Sequence, residues 1–324
     1  MNKFPVKRML IGLVISAIIL YFAFSNVDLA KVWGAIKHVN PFFYALALLA
    51  FFFTYPARTL RWKSLLSAQG YKTRFSTLFK IICFTWFFNS ISPSKFGEAY
   101  RIWSAKKIDV SRSKTTALII LERFFDLVII IILSFFFVYS SGIQSVIITN
   151  FLNVSFILIV IVGLFLALML KSSSFAKRFM KIFFSLPLIS RFSDRFEHFW
   201  SNFEAGFRIF KNRRRIAGIF SLTVFIWLLE IVTLQFVILA FGIELNFYFL
   251  GFLAILTALV TALPLTPGGL GVAEFFLIML FTYQGIPESV GASISLLFRF
   301  ASLYVTILLG AAVMPFINPM KLEK

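Results

Sequence analysis

The 324-residue chain is 60% hydrophobic and 19% aromatic, with a mean hydropathy of +0.92, which excludes a soluble domain of ordinary makeup. Its net charge of +19 comes from basic residues grouped between apolar runs, a distribution that marks the two sides of a membrane rather than a nucleic-acid surface. The single cysteine, Cys83, and two distant histidines, His38 and His198, exclude an internal disulfide, a thiolate cluster and a histidine metal site.

The expected fold is an all-α integral membrane protein forming one membrane domain, because the alternating pattern of a membrane barrel is absent. Apolar runs lie near 9–25, 41–57, 75–92, 115–139, 150–170, 216–241, 249–264, 270–284 and 290–315. Several reach the roughly 20 residues that cross a hydrocarbon core of about 30 Å. The first run follows Lys3, Lys7 and Arg8 and is read as an uncleaved helix rather than a signal peptide, since its cleavage site is poor and further spans follow.

Basic residues gather at the N-terminus, in 58–74, 94–114 and 171–215, and in the tail, which together hold 27 of the 32. By the positive-inside rule these segments and both termini face the cytoplasm, which places the chain in the cytoplasmic (inner) membrane. The run 75–92 has strongly basic loops on both sides. A simple span there would put one of them outside, so 75–105 is expected to enter from the cytoplasm, turn at Ser92-Pro93 and return. The runs 249–264 and 270–284 start and finish outside around ALPLTPGGLGVAEFF; they are either a second re-entrant hairpin or two short spans. About six full spans then accompany two broken hairpins.

Two inverted units emerge, approximately 41–139 and 216–315. In each, a span precedes a broken hairpin and another span follows. Ser92-Pro93 with Gly97 and Glu98 is matched by Thr266-Pro267 with Gly271 and Glu274; Arg123 lies 30 residues after Pro93, and Arg299 lies 32 after Pro267. Interrupted helices at corresponding places in inverted repeats point to a transport site near the bilayer midplane. Between the units, 171–215 carries phenylalanines at three- and four-residue steps among lysines and arginines. It reads as a basic amphipathic connector on the anionic headgroups of the cytoplasmic surface.

Charges within apolar runs must be paired, hydrated or functional. Glu122, Arg123 and Asp126 begin the 115–139 run; Glu122 and Asp126 share a helical face, and Arg123 and Asp126 are spaced to pair. Glu230 and Arg299 lie deeper, Glu98, Arg101 and Glu274 belong to the hairpins, and Arg58 and Arg61 end the second run. The plain alternative for each is a structural ion pair, and for Arg61 an interfacial anchor whose stem snorkels. The glycines after Pro267 (Gly268, Gly269 and Gly271) permit a helix restart whose free amides suit a phosphate, while Glu98, Glu122, Asp126 and Glu274 suit a cationic group. Both signs together match a lipid headgroup better than a lone ion.

RTLRWKSLL (58–66), NSISPSKFGEAYRIW (89–103), ERFFD (122–126) and PLTPGGLGVAE (264–274) together resemble the lysylphosphatidylglycerol synthetase transmembrane family. It includes the flippase part of the multiple peptide resistance factor. The resemblance spans nearly the whole chain and implies roles for Arg58, Asn89, Pro93, Gly97, Glu98, Arg101, Glu122, Arg123, Asp126, Pro267, Gly268, Gly269, Gly271, Glu274 and Arg299. The soluble aminoacyl transferase domain of the full-length factor has no counterpart before Lys324, so synthesis of the aminoacyl lipid is not expected.

The expected function is a lipid flippase or scramblase for a phosphate-containing headgroup, of an aminoacyl-phospholipid, glycolipid or polyprenyl-linked lipid, with no cofactor and no metal. Arg58, Arg123 and Arg299 would hold phosphate, the carboxylates an amine or sugar hydroxyls, and Glu230 or Glu274 would couple protons, since no P-loop pattern occurs. Two alternatives stand beside it. One is a membrane-embedded transferase with Glu98 or Glu274 as general base; the other is a membrane partner of a separate lipid-synthesising enzyme. Membrane lipids are the expected partners, with a homo-oligomer as a further possibility.

Overall fold

A computed structural model of the chain describes residues 6–25, 27–92, 96–142, 150, 212–262, 266 and 269–316, together with 153–154, 156–157, 160–161 and 163–164. All regular structure among these residues is helical. In chain order the helices are α1 (Val6–Phe24), α2 (Leu29–Lys37), α3 (Pro41–Ala68), α4 (Phe75–Ile91), α5 (Phe96–Ala105), α6 (Arg112–Ser141), α7 (Arg213–Ala240), α8 (Phe247–Ala262), α9 (Val272–Tyr283) and α10 (Glu288–Val313). The described helices α4 and α8 end at Ile91 and Ala262, close to the prolines expected to end them. Pro93, Pro267 and Gly268 themselves, and residues 171–211 of the basic connector, lie outside the described residues.

Local chemistry sets the helix ends. The Asp28 carboxylate accepts from the amides of Ala30 and Lys31 at the start of α2. Asn40 caps α3, with Pro41 in the first turn, and the Ser111 hydroxyl accepts from Lys114 at the start of α6. The α6 helix stops at Gly142, whose φ of 72° is one that a side chain would disfavour.

Among the described residues, three helices are long and apolar enough to cross a membrane: Pro41–Ala68, Arg213–Ala240 and Glu288–Phe316. The pair Val14–Phe24 and Leu29–Lys37, bent by 83°, adds a fourth candidate. At 30 residues α6 is also long enough, but Glu122, Arg123 and Asp126 interrupt its apolar run. The shorter apolar helices are those of the two interrupted regions.

The helices of the two halves interlock: α3 packs on α7, α4 on α10, and α8 on α6. The α3 and α7 helices run antiparallel, since the Asn40 amide donates to the Ala240 carbonyl at one end (2.8 Å) and Arg215 donates to the Ser67 carbonyl at the other (3.3 Å). The start of α4 lies beside the end of α10, where Lys80 sits over the Phe316 ring. The start of α8 lies beside the end of α6, through Phe247 on Phe137. Within each half, α4 packs on α5 and α5 on α6, as α8 packs on α9 and α9 on α10. Close approach depends on glycine: a Cβ on Gly310 would fall 2.4 Å from Phe87, and one on Gly251 would fall 2.3 Å from Phe137.

Two large apolar cores result, with a smaller third of Ala23, Val27, Val32, Ile278 and Ala292. One gathers Trp62, Leu65, Cys83, Leu118, Ile219 and Val305; the other gathers Ile130, Phe137, Ile231, Leu253, Phe281 and Ile294. On α6, α7 and α10 one charged residue each falls at the junction between them. Asp126 precedes Ile130, Glu230 lies between Ile219 and Ile231, and Arg299 lies between Ile294 and Val305. The helices thus carry a polar layer sandwiched between greasy ends.

Candidate functional site: a charge layer between two apolar cores

The larger part of the layer is built by α3, α5, α6 and α7. Arg101 makes a two-pronged contact with Glu122, Nη1 to Oε2 at 2.6 Å and Nη2 to Oε1 at 3.0 Å. Arg61 reaches Asp126 at 2.6 Å, Glu122 at 3.9 Å and the Thr223 hydroxyl at 3.3 Å. Arg123 lies between Glu98 and Asp126, 3.2 Å from each, and Arg101 is 3.7 Å from the second oxygen of Glu98. Arg58 donates to Glu230 at 2.9 Å. Four guanidinium groups meet four carboxylates. That balance lets charges this deeply buried persist in an apolar surround.

Two tryptophans extend the layer. The guanidinium of Arg101 sits over the Trp62 ring at 4.2 Å, and that of Arg58 over Trp86 at 4.1 Å, with Arg123 5.9 Å from the same Trp86 ring. Such stacking occupies the flat faces of the cations while their edges remain free to hydrogen-bond.

The second part of the layer is smaller. Arg299 on α10 lies 3.2 Å from Glu274 on α9. The other oxygen of Glu274 accepts from the Gly271 amide at 2.7 Å, so the carboxylate closes the start of its own helix. Gly271 has a φ of 85° and packs on α1, where an added Cβ would come within 3.0 Å of the Ser16 carbonyl. In the first half the corresponding amide, that of Gly97, donates to the Asn89 side chain at 2.8 Å.

The structure therefore brings Arg58, Glu98, Arg101, Glu122, Arg123, Asp126 and Glu230 into one connected group, and Glu274 with Arg299 into a pair. Asn89 and Gly271 act at the helix restarts. Gly269 is buried, and its amide donates to the Thr266 carbonyl at 3.2 Å. Two expectations change. The described restart amides of Gly97, Gly269 and Gly271 are already taken by internal acceptors, because an unsatisfied donor at this depth is costly. The acidic residues do not form a bare cation pocket, since each has an arginine beside it.

Arg61 corrects a third. Its position at the end of an apolar run suggests a snorkelling anchor, yet it is 1% exposed and holds Asp126 and Glu122. The signal was available in the sequence: Arg61 follows Arg58 by three residues and so continues the same helical face inward. Exposure separates the arginines into two kinds. The side chains of Arg61 and Arg101 are each 2% exposed, whereas those of Arg123 and Arg299 are 35% and 26% exposed. The first two are fixed inside; the second two open on one side.

Residues 9–310 match the family described as the lysylphosphatidylglycerol synthase TM region, and the chain belongs to that family. Relatives of similar extent are archaeal. A UPF0104 membrane protein of Methanocaldococcus jannaschii is 24% identical over 96% of this chain and 95% of its own length. Another from the same organism is 30% identical over 69% of this chain and 92% of its own. A third, from Pyrococcus horikoshii, is 24% identical over 83% of this chain and 85% of its own. The protein is thus a multi-pass helical membrane protein of a family tied by name to lipid synthesis.

Proposed function

We propose that the protein is a lipid flippase or scramblase that passes a phosphate-containing headgroup through the charge layer while the acyl chains stay in lipid. One observation carries the reading: each interrupted apolar region brings a carboxylate against an arginine in the middle of the next long helix, so a paired, partly exposed guanidinium recurs at two places among apolar helices. Charges so placed must be paired or functional, and phosphate is an oxyanion that a guanidinium binds in two-pronged geometry.

The packing supports two inverted units, 41–139 and 216–315, within a single domain. Exchanging α3 with α7, α4 with α8, α5 with α9 and α6 with α10 carries one half's neighbouring pairs onto the other's. The antiparallel α3 and α7 fit the inversion. The same contacts agree with re-entrant hairpins opening to opposite sides and with cytoplasmic termini in the inner membrane. The Ser67 and Arg215 ends fall with the strongly basic loops, and the Asn40 and Ala240 ends fall with loops poor in basic residues. About six full spans and a basic connector at 171–215 on the anionic headgroups complete this topology.

The test is translocation in proteoliposomes. Wild type should move fluorescent phosphatidylglycerol or a glycolipid analogue well above protein-free vesicles, and Arg299→Ala should fall to that background. Wild-type vesicles no faster than empty ones would end the reading. The family's name, taken from the membrane region of a synthase, favours a second reading as the membrane partner of a separate lipid-synthesising enzyme. Stable co-purification, with lipid synthesis only in the complex, would support that one.

A further inference from the structure

The two half-exposed arginines occupy equivalent places. Glu98 is the third residue of α5 and Arg123 the twelfth of α6; Glu274 is the third residue of α9 and Arg299 the twelfth of α10. Both pairs close at 3.2 Å. In each the carboxylate is the better-buried member, at 17% and 2% side-chain exposure against 35% and 26% for the arginines. Each carboxylate also keeps another partner if its arginine leaves: Glu98 has Arg101 at 3.7 Å, and Glu274 has the Gly271 amide at 2.7 Å. Arg123 keeps Asp126 and the Trp86 ring.

We infer that Glu98–Arg123 and Glu274–Arg299 are matched latches, each tying the return leg of a hairpin to the following span, and that a lipid phosphate opens them by taking the carboxylate's place on the arginine. The inference rests on the flippase reading and assigns the two glutamates a role opposite to headgroup binding. A phosphate and a carboxylate both offer paired oxygens to a guanidinium, so the exchange conserves charge at the arginine and costs little geometry. The glutamate stays behind on its second partner while its own tie to the span opens; in the first half Arg101 and Glu122 still join α5 to α6, so the motion there is a local one at the start of α5. Because one latch lies in each half, a headgroup that leaves one arginine for the other would reclose the first gate as it opens the second.

The experiment uses the purified full chain and phosphatidylglycerol as the probe. With the competing carboxylate neutralised, Glu98→Gln and Glu274→Gln should each bind the lipid about fivefold or more tightly than wild type, the lower end of coupling between two ligands of one group. Both should slow translocation about tenfold, since a gate that does not reclose stalls the cycle. Binding that is unchanged or weaker in both variants overturns the latch, the weaker result meaning that the glutamates hold the headgroup themselves.

A second measurement needs no variant. Phosphatidylglycerol added to wild type should raise modification of Glu98 and Glu274 by a hydrophobic carbodiimide, read by mass spectrometry, and leave Glu122 unmodified. No rise at either residue also overturns the proposal. Tighter binding by the variants with no wild-type translocation would retain the competition and reject the flippase reading. Wild-type translocation with unaltered variants would do the reverse.

Discussion

The two halves hold equivalent glutamates by different means. Glu98 belongs to a six-charge network of Arg61, Glu98, Arg101, Glu122, Arg123 and Asp126 on α3, α5 and α6, which the Arg58–Glu230 pair adjoins across the Trp86 ring, so its surroundings are set by side chains from several helices. Glu274 is held by one arginine and one backbone amide, and the glycine supplying that amide rests on α1. The same ion pair can therefore be anchored through a distributed electrostatic web or through a local helix cap. The difference should separate stability from function: the web resists loss of a member poorly, while the cap retains its backbone bond when the arginine goes.

The largest effect tests that contrast directly. Arg101→Met strips Glu122, 2% exposed, of its two-pronged partner and leaves only Arg61 at 3.9 Å. Removing one member of a buried pair costs about 3–5 kcal/mol. Arg299→Met leaves Glu274 on the Gly271 amide, so its cost falls in the range of about 1–3 kcal/mol for a buried polar group that loses one partner. Equilibrium unfolding in mixed detergent micelles measures both. Equal losses would erase the distinction between web and cap.

The architecture was largely legible because its signals are long and chemical. Most apolar runs of 15 to 26 residues became described helices within a few positions, although α3 continues eleven residues past its run, α2 answers to none, and 150–170 lies mostly outside the described residues. Basic loops carried the sidedness expectation, and the i, i+3 spacing of Arg123 and Asp126 gave a pair that forms. What composition could not supply was partner choice across distant helices. Nothing in RTLRW says that Arg58 meets Glu230, 172 positions away, or that Asp126 is the partner of Arg61. For the same reason the glycine-rich restarts looked like open amide sites. A sequence reveals which amides leave a helix ladder, but the acceptors Asn89 and Glu274 reach them only through the hairpin geometry.

Intermediate effects arise at the two restarts and sharpen the comparison. A Cβ on Gly97 would lie 2.0 Å from the Thr85 carbonyl and 2.6 Å from the Asn89 side chain that caps it. Backbone cannot yield as a side chain does, so Gly97→Ala should cost about 2–3 kcal/mol, the upper part of the overpacking range. Gly271→Ala meets looser contacts, 3.0 Å at the nearest, but imposes a positive φ on a residue with a side chain, which costs about 1–2 kcal/mol. A thermal melt should rank Gly97→Ala below Gly271→Ala. The opposite order would mean that α1, rather than the α4–α5 contact, is the tighter constraint.

The smallest effect compares the caps themselves. Asn89→Ala leaves the Gly97 amide without its 2.8 Å acceptor in a part-buried setting, worth about 1 kcal/mol. Asn89→Asp keeps an oxygen there and should recover most of the loss. Glu274→Gln likewise keeps a side-chain oxygen for the Gly271 amide while removing the charge facing Arg299. Its stability cost should therefore be no greater than that of Asn89→Ala, although the latch predicts a larger change in lipid binding. Stability and lipid affinity measured on the same preparations distinguish the two roles of Glu274. If Glu274→Gln unfolds more readily than Asn89→Ala, the charge rather than the cap holds α9 in place, and the halves are anchored alike after all.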